Sequence, residues 1–216
     1  MEIIKPRLLV VGDSFFYRDP KFPGQHWSEM LPDYEIDNRA EPGHSIHMIL
    51  LDLAEGLTHS PDAVVIGFTG TNRIEFKNSN SDYKKQWVTS AHKHLLNRDQ
   101  ELLVTLYQSL TDPSWRTSGA CWQIIGALNV LKSLNIPFVY SLGIFQTQIQ
   151  MAKLLTQYSD IVKDYLSRFA LHSLDLNLAT YPPDLLTTSP LFHVPDPNWQ
   201  RRFADEVTTK LKTLDI

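Results

Sequence analysis

The chain has 216 residues, 43% of them hydrophobic and 20% charged, which is enough for one domain with a core of its own. Its net charge of −4, with Lys and Arg scattered, excludes a nucleic-acid binder held by phosphate contacts, and the pair Lys84-Lys85 reads as a solvated face. No apolar run reaches the roughly 18–20 residues of a membrane span, so neither nucleic acid nor membrane is expected as a partner.

The amino-terminal "MEIIKPRLLVVG" is too short for a secretion leader and runs straight into a strand, which points to a cytoplasmic or virion-associated protein. Arg7 to Val11 is a continuous β-branched run of the kind found in a parallel strand covered on both faces. Tyr34 to Ala40 alternates more weakly, and 62–70 ("DAVVIGFTG"), 136–143 ("IPFVYSLG") and 172–179 ("HSLDLNLA") complete five predicted strands. Between them lie helical patterns. His44 to Gly56 carries Ile46, Ile49, Leu50 and Leu53 at helical spacing. Residues 84–111 and 117–134 read as two long helices broken at "DPSW", after a polar loop at 77–85. Their tryptophans, Trp87, Trp115 and Trp122, read as core packing. Cys121, the single cysteine, sits in the second of these helices ("SGACWQIIGAL") and reads as a buried small hydrophobe. Thr147 to Ala170 suggests one or two further helices. The last helix has the clearest stripe: Trp199, Phe203, Val207, Leu211 and Leu214, opened by Asp196-Pro197 as N-cap and first turn.

Strands alternating with helices predict a single α/β domain over 1–216, with a parallel sheet covered on both faces. An extended helical segment at about 76–134 is longer than a crossover needs and is expected to cover part of a pocket or to form a contact between copies of the chain. Ligands of such sheets sit at the carboxyl ends of the strands. Ser14, in "VVGDSFF", follows the carboxyl end of the first strand. It is a candidate nucleophile, and equally a candidate cap of the turn. Gly43, in "EPGHS", follows the second strand, and Asn72, in "GFTGTNR", follows the third. A glycine N–H and an asparagine amide both suit an oxyanion, although Gly and Asn also dominate turns. Of the eight histidines, most fall on helices or polar surface and read as solvated. His193 lies in the loop before the last helix, where the final connection returns to the active face.

Gly-Asp-Ser after the first strand, a glycine after the second, Gly-x-Asn after the third and a histidine before the last helix, in that order, resemble the SGNH hydrolases, the GDSL-type esterases and lipases. "HWSEML", 26–31, is similar to the first-helix Trp-x-x-x-Leu of many members. The resemblance spans nearly the whole chain. It implies a flavodoxin-like, three-layer α/β/α sandwich with five parallel strands. It also implies a Ser14 nucleophile, a His193 base and an oxyanion hole of the Ser14 N–H, the Gly43 N–H and the Asn72 amide, with no metal and no cofactor. The implied substrate is a small-molecule or carbohydrate ester, such as a short acyl ester or an O-acetyl group.

Two positions depart from the family. Pro190 stands where an aspartate usually precedes the histidine, so the group that orients His193 is left open among Asp196, Asp184 and a backbone carbonyl. Asp196 is equally the N-cap of the last helix. Arg73 replaces the aspartate of the third block, and "TGTNRIEF" is similar to divergent phage-encoded SGNH-like proteins. Arg73 and Glu75 read as a structural ion pair, or, if they face the pocket, Arg73 reads as a site for an anionic group. The missing aspartate supports a second reading, a non-catalytic SGNH-like assembly protein. A flavodoxin-like ligand binder ranks third, because two aromatics follow Gly-Asp-Ser where a phosphate would meet backbone N–H groups.

Overall fold

The computed structural model describes residues 4–71, 73–77, 87–89, 96–111, 113–143, 164–176 and 197–214. Four parallel strands form the central sheet: β1 (Arg7–Val11), β2 (Glu35–Asn38), β3 (Ala63–Gly67) and β6 (Phe138–Ser141), in the order β2-β1-β3-β6. The register is continuous, with Leu8 opposite Ile36 on one side and Ala63 on the other, and Val65 opposite Val139. β1, β3 and β6 are buried, as apolar strands of a two-sided sheet must be.

The two faces are built by alternation along these strands. Leu9, Val11, Val64 and Ile66 point to helices α1 (Ile46–Leu57) and α3 (Pro113–Ser133), where they meet Ile49, Leu53, Ile124 and Leu128. Leu8, Val10, Val65 and Val139 point to the opposite layer, where Trp27 and Phe203 lie. Phe203, Val207 and Leu211 of α4 (Pro197–Lys212) are fully buried there, and Trp199 and Leu214 are partly covered, so the predicted stripe is the packed face. Each such side chain contributes about 2–3 kcal/mol of burial. Trp27 opens a single 3-10 turn (Trp27–Met30) and packs edge-on against both Phe16 and Phe203. Its backbone N–H donates to the buried Gln200 Oε1 of α4 at 2.8 Å, which locks this turn to the last helix.

The predicted fifth strand is reduced, among the described residues, to one parallel bridge between Tyr140 and Ser173. The cause is a competing acceptor: the backbone N–H groups of Asp175 and Leu176 donate to the Glu206 carboxylate of α4, not to a neighbouring strand. With that bridge beside β6, the sheet runs β2-β1-β3-β6 and then the Ser173 segment, the flavodoxin-like arrangement.

The segment at 76–134 is not helical throughout. Residues 75–77 (β4) and 87–89 (β5) pair as an antiparallel ribbon, Glu75 opposite Thr89. "WVT" is β-branched and aromatic, and strand pairing overrides the helix predicted from residue 84. The helix instead starts at Arg98 (α2, Arg98–Leu110). Asn97 and Gln100 form a reciprocal capping box there, each side chain accepting from the other's backbone N–H at 2.9 Å. α2 buries Val104 and leaves Leu102, Leu103, Leu106 and Leu110 exposed. Trp122 of α3 is not a core residue; it is 45% exposed and packs edge-on against Tyr165. Trp115 and the side chain of Trp87 lie outside what is described, as do most of the predicted helix at 147–170 and the end of the 172–179 strand. Cys121 is buried as expected, and burial pushes its thiol up to about 11.

Candidate active site

The turn after β1 is capped by Asp13, not by Ser14. The Asp13 carbonyl accepts from the Phe16 and Tyr17 N–H groups at 3.0 and 3.1 Å, and its Oδ1 accepts from the Phe15 N–H at 3.1 Å. The other carboxylate oxygen accepts from the Thr69 hydroxyl at 2.8 Å and lies 3.4 Å from Arg73 Nη2. Asp13 is buried, and its carboxylate therefore ties three pieces of chain together: the β1 turn, the end of β3 and the start of the "TNRIE" segment. The turn can be this tight because the Phe16 ring lies against the backbone of Gly67. A Cβ at Gly67 would fall 2.1 Å from the ring.

With Asp13 as cap, the Ser14 hydroxyl makes no hydrogen bond among the described residues, although Ser14 is only 7% exposed. It sits at the carboxyl end of β1, beside two loops tied to the same turn. Asn38 Nδ2 donates to the Phe16 carbonyl at 3.0 Å, and the Glu41 N–H donates to the Gly12 carbonyl at 3.3 Å. These bonds tie the loop after β2, which carries Gly43, to the β1 turn. Gly43 has φ +83°, a left-handed conformation that strains any residue with a Cβ, so the glycine here is required by the backbone. Asn72, His193, Asp196, Asp184 and Pro190 lie outside the described residues.

Arg73 and Glu75 do not pair with each other. Arg73 is turned to Asp13 and donates from Nη1 to the His44 carbonyl, so its guanidinium braces the turn and the Gly43 loop together. Burial pulls its pKa below the ordinary guanidinium value, against the opposing charge of Asp13. Glu75 instead faces α1. Burial raises its carboxyl above the usual range, while His47, the Met48 N–H and His44 act to lower it. His44 precedes α1, whose N-cap is Ser45, and its Nδ1 lies 2.9 Å from Asp52 Oδ2.

One histidine expected on the surface is internal. His26 is 1% exposed, caps the 3-10 turn through Nδ1, and is pushed down to about 4 by burial. Sequence patterning missed it because a cap and a surface histidine look alike. Thr69 was also missed, although a threonine at the end of a buried strand facing an aspartate turn is a signal in retrospect.

A pocket of about 350 Å³ opens next to Arg73 at the carboxyl end of the sheet. Its walls include Ser45 to His47 at the start of α1, Gly70 and Thr71 after β3, Glu75, Tyr107 of α2, and Arg116 and Gly119 of α3. Arg116 stacks over the Tyr107 ring at 5.5 Å, and its Nε and Nη1 are buried without hydrogen-bond acceptors. Glu75 Oε1 is likewise buried and unpaired.

No family model matches the sequence, and no curated protein does. Solved structures do match over nearly the full length. EstA, a psychrotrophic esterase from Pseudoalteromonas sp. whose structure was determined inhibited by monoethylphosphonate, superposes with a TM-score of 0.53 at 11% identity, covering 97% of this chain and 98% of its own. TesA superposes at 0.50 with 15% identity, covering 96% and 99%. A member of the lipolytic G-D-S-L family from Veillonella parvula superposes at 0.50 with 11% identity, covering 94% and 96%. None of these three is described as a phage protein. With the β2-β1-β3-β6 sheet order and the Gly-Asp-Ser turn at its carboxyl end, these full-length overlaps show that the chain shares the fold of these three proteins, the fold that its sequence resemblance implies.

Proposed function

We propose that the protein is a serine esterase. Ser14 is the nucleophile, His193 the general base, and the Ser14 N–H, the Gly43 N–H and the Asn72 amide hold the oxyanion. The observation that supports this most is the division of labour at the β1 turn: Asp13 takes the cap and the cross-links, and among the described residues the neighbouring Ser14 hydroxyl is left without a bond. In the reaction the Ser14 oxygen attacks the ester carbonyl as His193 accepts its proton. The alcohol then leaves with that proton, and water repeats the sequence on the acyl-enzyme. Asp196 is the proposed partner of His193, in the role that Pro190 cannot fill. A short acyl ester, such as an O-acetyl group on a carbohydrate, is the proposed substrate class.

Incubation with p-nitrophenyl acetate and with a fluorophosphonate probe tests the reading. Hydrolysis and labelling are expected, both lost in Ser14→Ala, with turnover falling by at least about 10³-fold. His193→Ala should fall comparably, and Asp196→Ala less. Absence of both hydrolysis and labelling in the wild-type protein would leave the second reading, a non-catalytic assembly protein, which the proline at position 190 favours.

A further inference from the structure

We infer that the pocket beside Arg73 is a subsite for a carboxylate carried by the substrate, with Arg116 as the residue that binds it. The inference rests on the esterase reading for its connection to catalysis. Two buried N–H donors of a guanidinium without acceptors are rare in folded proteins, and they mark either a defect or a place for a ligand. Arg116 itself lines an open volume of about 350 Å³. Tyr107 holds the guanidinium from one side, so the group is oriented before anything binds.

Arg73 does not serve this purpose, because it is engaged with Asp13 and the His44 carbonyl. It does connect the pocket to the site: it lines the pocket and reaches the residue next to Ser14. Gly70 and Thr71, on the same wall, continue directly from Thr69, which is bonded to Asp13. The size of the charge follows from the walls. One unengaged guanidinium beside the acidic Glu75 suits a singly charged carboxylate and disfavours a doubly charged phosphate. Gly119 keeps the volume open: a Cβ there would meet nothing within 4 Å.

The carboxylate has two possible sources, the acyl part or the alcohol part of the ester. Two matched pairs separate them: p-nitrophenyl hemisuccinate against p-nitrophenyl butyrate, and acetoxyacetate against 2-methoxyethyl acetate. One acidic ester should exceed its neutral partner about tenfold or more in kcat/KM, and Arg116→Gln should abolish that ratio. Arg116→Lys should keep part of it. Gly119→Leu, which fills the pocket and leaves Arg116 in place, should also abolish it. A second measurement does not need turnover. Butyrate, against sodium chloride of equal ionic strength, should raise the Tm of the wild type by about 3 °C near saturation and leave R116Q unmoved, with phosphate without effect on either. Ser14-dependent hydrolysis with no acid preference in either pair and no butyrate effect overturns the subsite and leaves the esterase. A preference or a Tm rise that survives in R116Q also overturns it. A butyrate effect confined to proteins with Arg116, without any hydrolysis, supports the subsite and overturns the esterase reading instead.

Discussion

Two polar clusters meet at the carboxyl end of this sheet, and they differ in whether their groups have partners. Around the β1 turn, Asp13, Thr69 and Arg73 satisfy one another, and the carboxylate alone makes contacts to three segments. Across the neighbouring pocket, Arg116 and Glu75 keep buried polar atoms without partners. The first arrangement resists change and holds a backbone in place. The second is costly to the folded state by roughly 1–3 kcal/mol per unmet group, and a ligand that supplies the missing bonds recovers that cost. The difference teaches which residues to read as frame and which as binding surface: identity as a charged residue does not decide it, but partnership does.

The comparison is broken most directly at Asp13. Asp13→Ala removes the cap and leaves the Arg73 guanidinium buried without its counter-charge, and a loss of about 3–5 kcal/mol is expected in urea denaturation. A loss under about 1 kcal/mol would show that the cross-links do not hold the turn.

His26 offers the next largest effect, away from the site. Its pKa is about 4 in the folded protein against 6.5 ordinarily, so the unfolded chain takes up the proton first as pH falls. The stability it protects is complete above pH 6.5 and is lost between there and pH 4, by about 3 kcal/mol. His26→Asn, which keeps a capping side chain, should flatten that part of the stability curve; an unchanged slope would place the acid sensitivity elsewhere.

Glu75 tests the unpartnered cluster. Its folded carboxyl is raised, so ionisation costs the folded state stability as pH climbs through the carboxylate range. Glu75→Gln should be more stable than the wild type at neutral pH, by less than about 1 kcal/mol because water screens a partly buried group, and equal to it in acid. A destabilised variant would mean that the His47, Met48 N–H and His44 interactions outweigh burial.

The smallest effect is expected at the residue next to Asp13. Ser14→Ala should leave the denaturation midpoint within about 0.5 kcal/mol of wild type, since the hydroxyl holds nothing among the described residues. Adjacent residues would then separate cleanly, Asp13 by stability and Ser14 by activity. A Ser14→Ala variant as unstable as Asp13→Ala would end that distinction.

Much of this was legible in the chain. Continuous, mostly apolar runs marked β1, β3 and β6, because a strand buried on both faces admits little else. The α4 stripe and its Pro197 start were readable for the same reason, an apolar period matched to one packed face. What was not legible depended on distant partners. The ribbon of β4 and β5 forms because 75–77 and 87–89 find each other, and local helix preference carries no information about that. Among the described residues the fifth strand is reduced to one bridge because Glu206, far along the chain, takes the N–H groups of Asp175 and Leu176.

At the site the boundary runs between position and partnership. The order of Ser14, Gly43, Asn72 and His193 along the chain, and the placement of Ser14 at a strand's carboxyl end, follow from sequence alone, because the strand pattern and turn residues are local. That the Asp13 carboxylate reaches Thr69 and Arg73, that Arg73 is committed to the turn, and that Arg116 lines an open pocket were decided only by the tertiary structure. Each is a contact between groups brought together by folding, and a hydrogen bond at 3 Å leaves no trace in the spacing of residues that lie tens of positions apart.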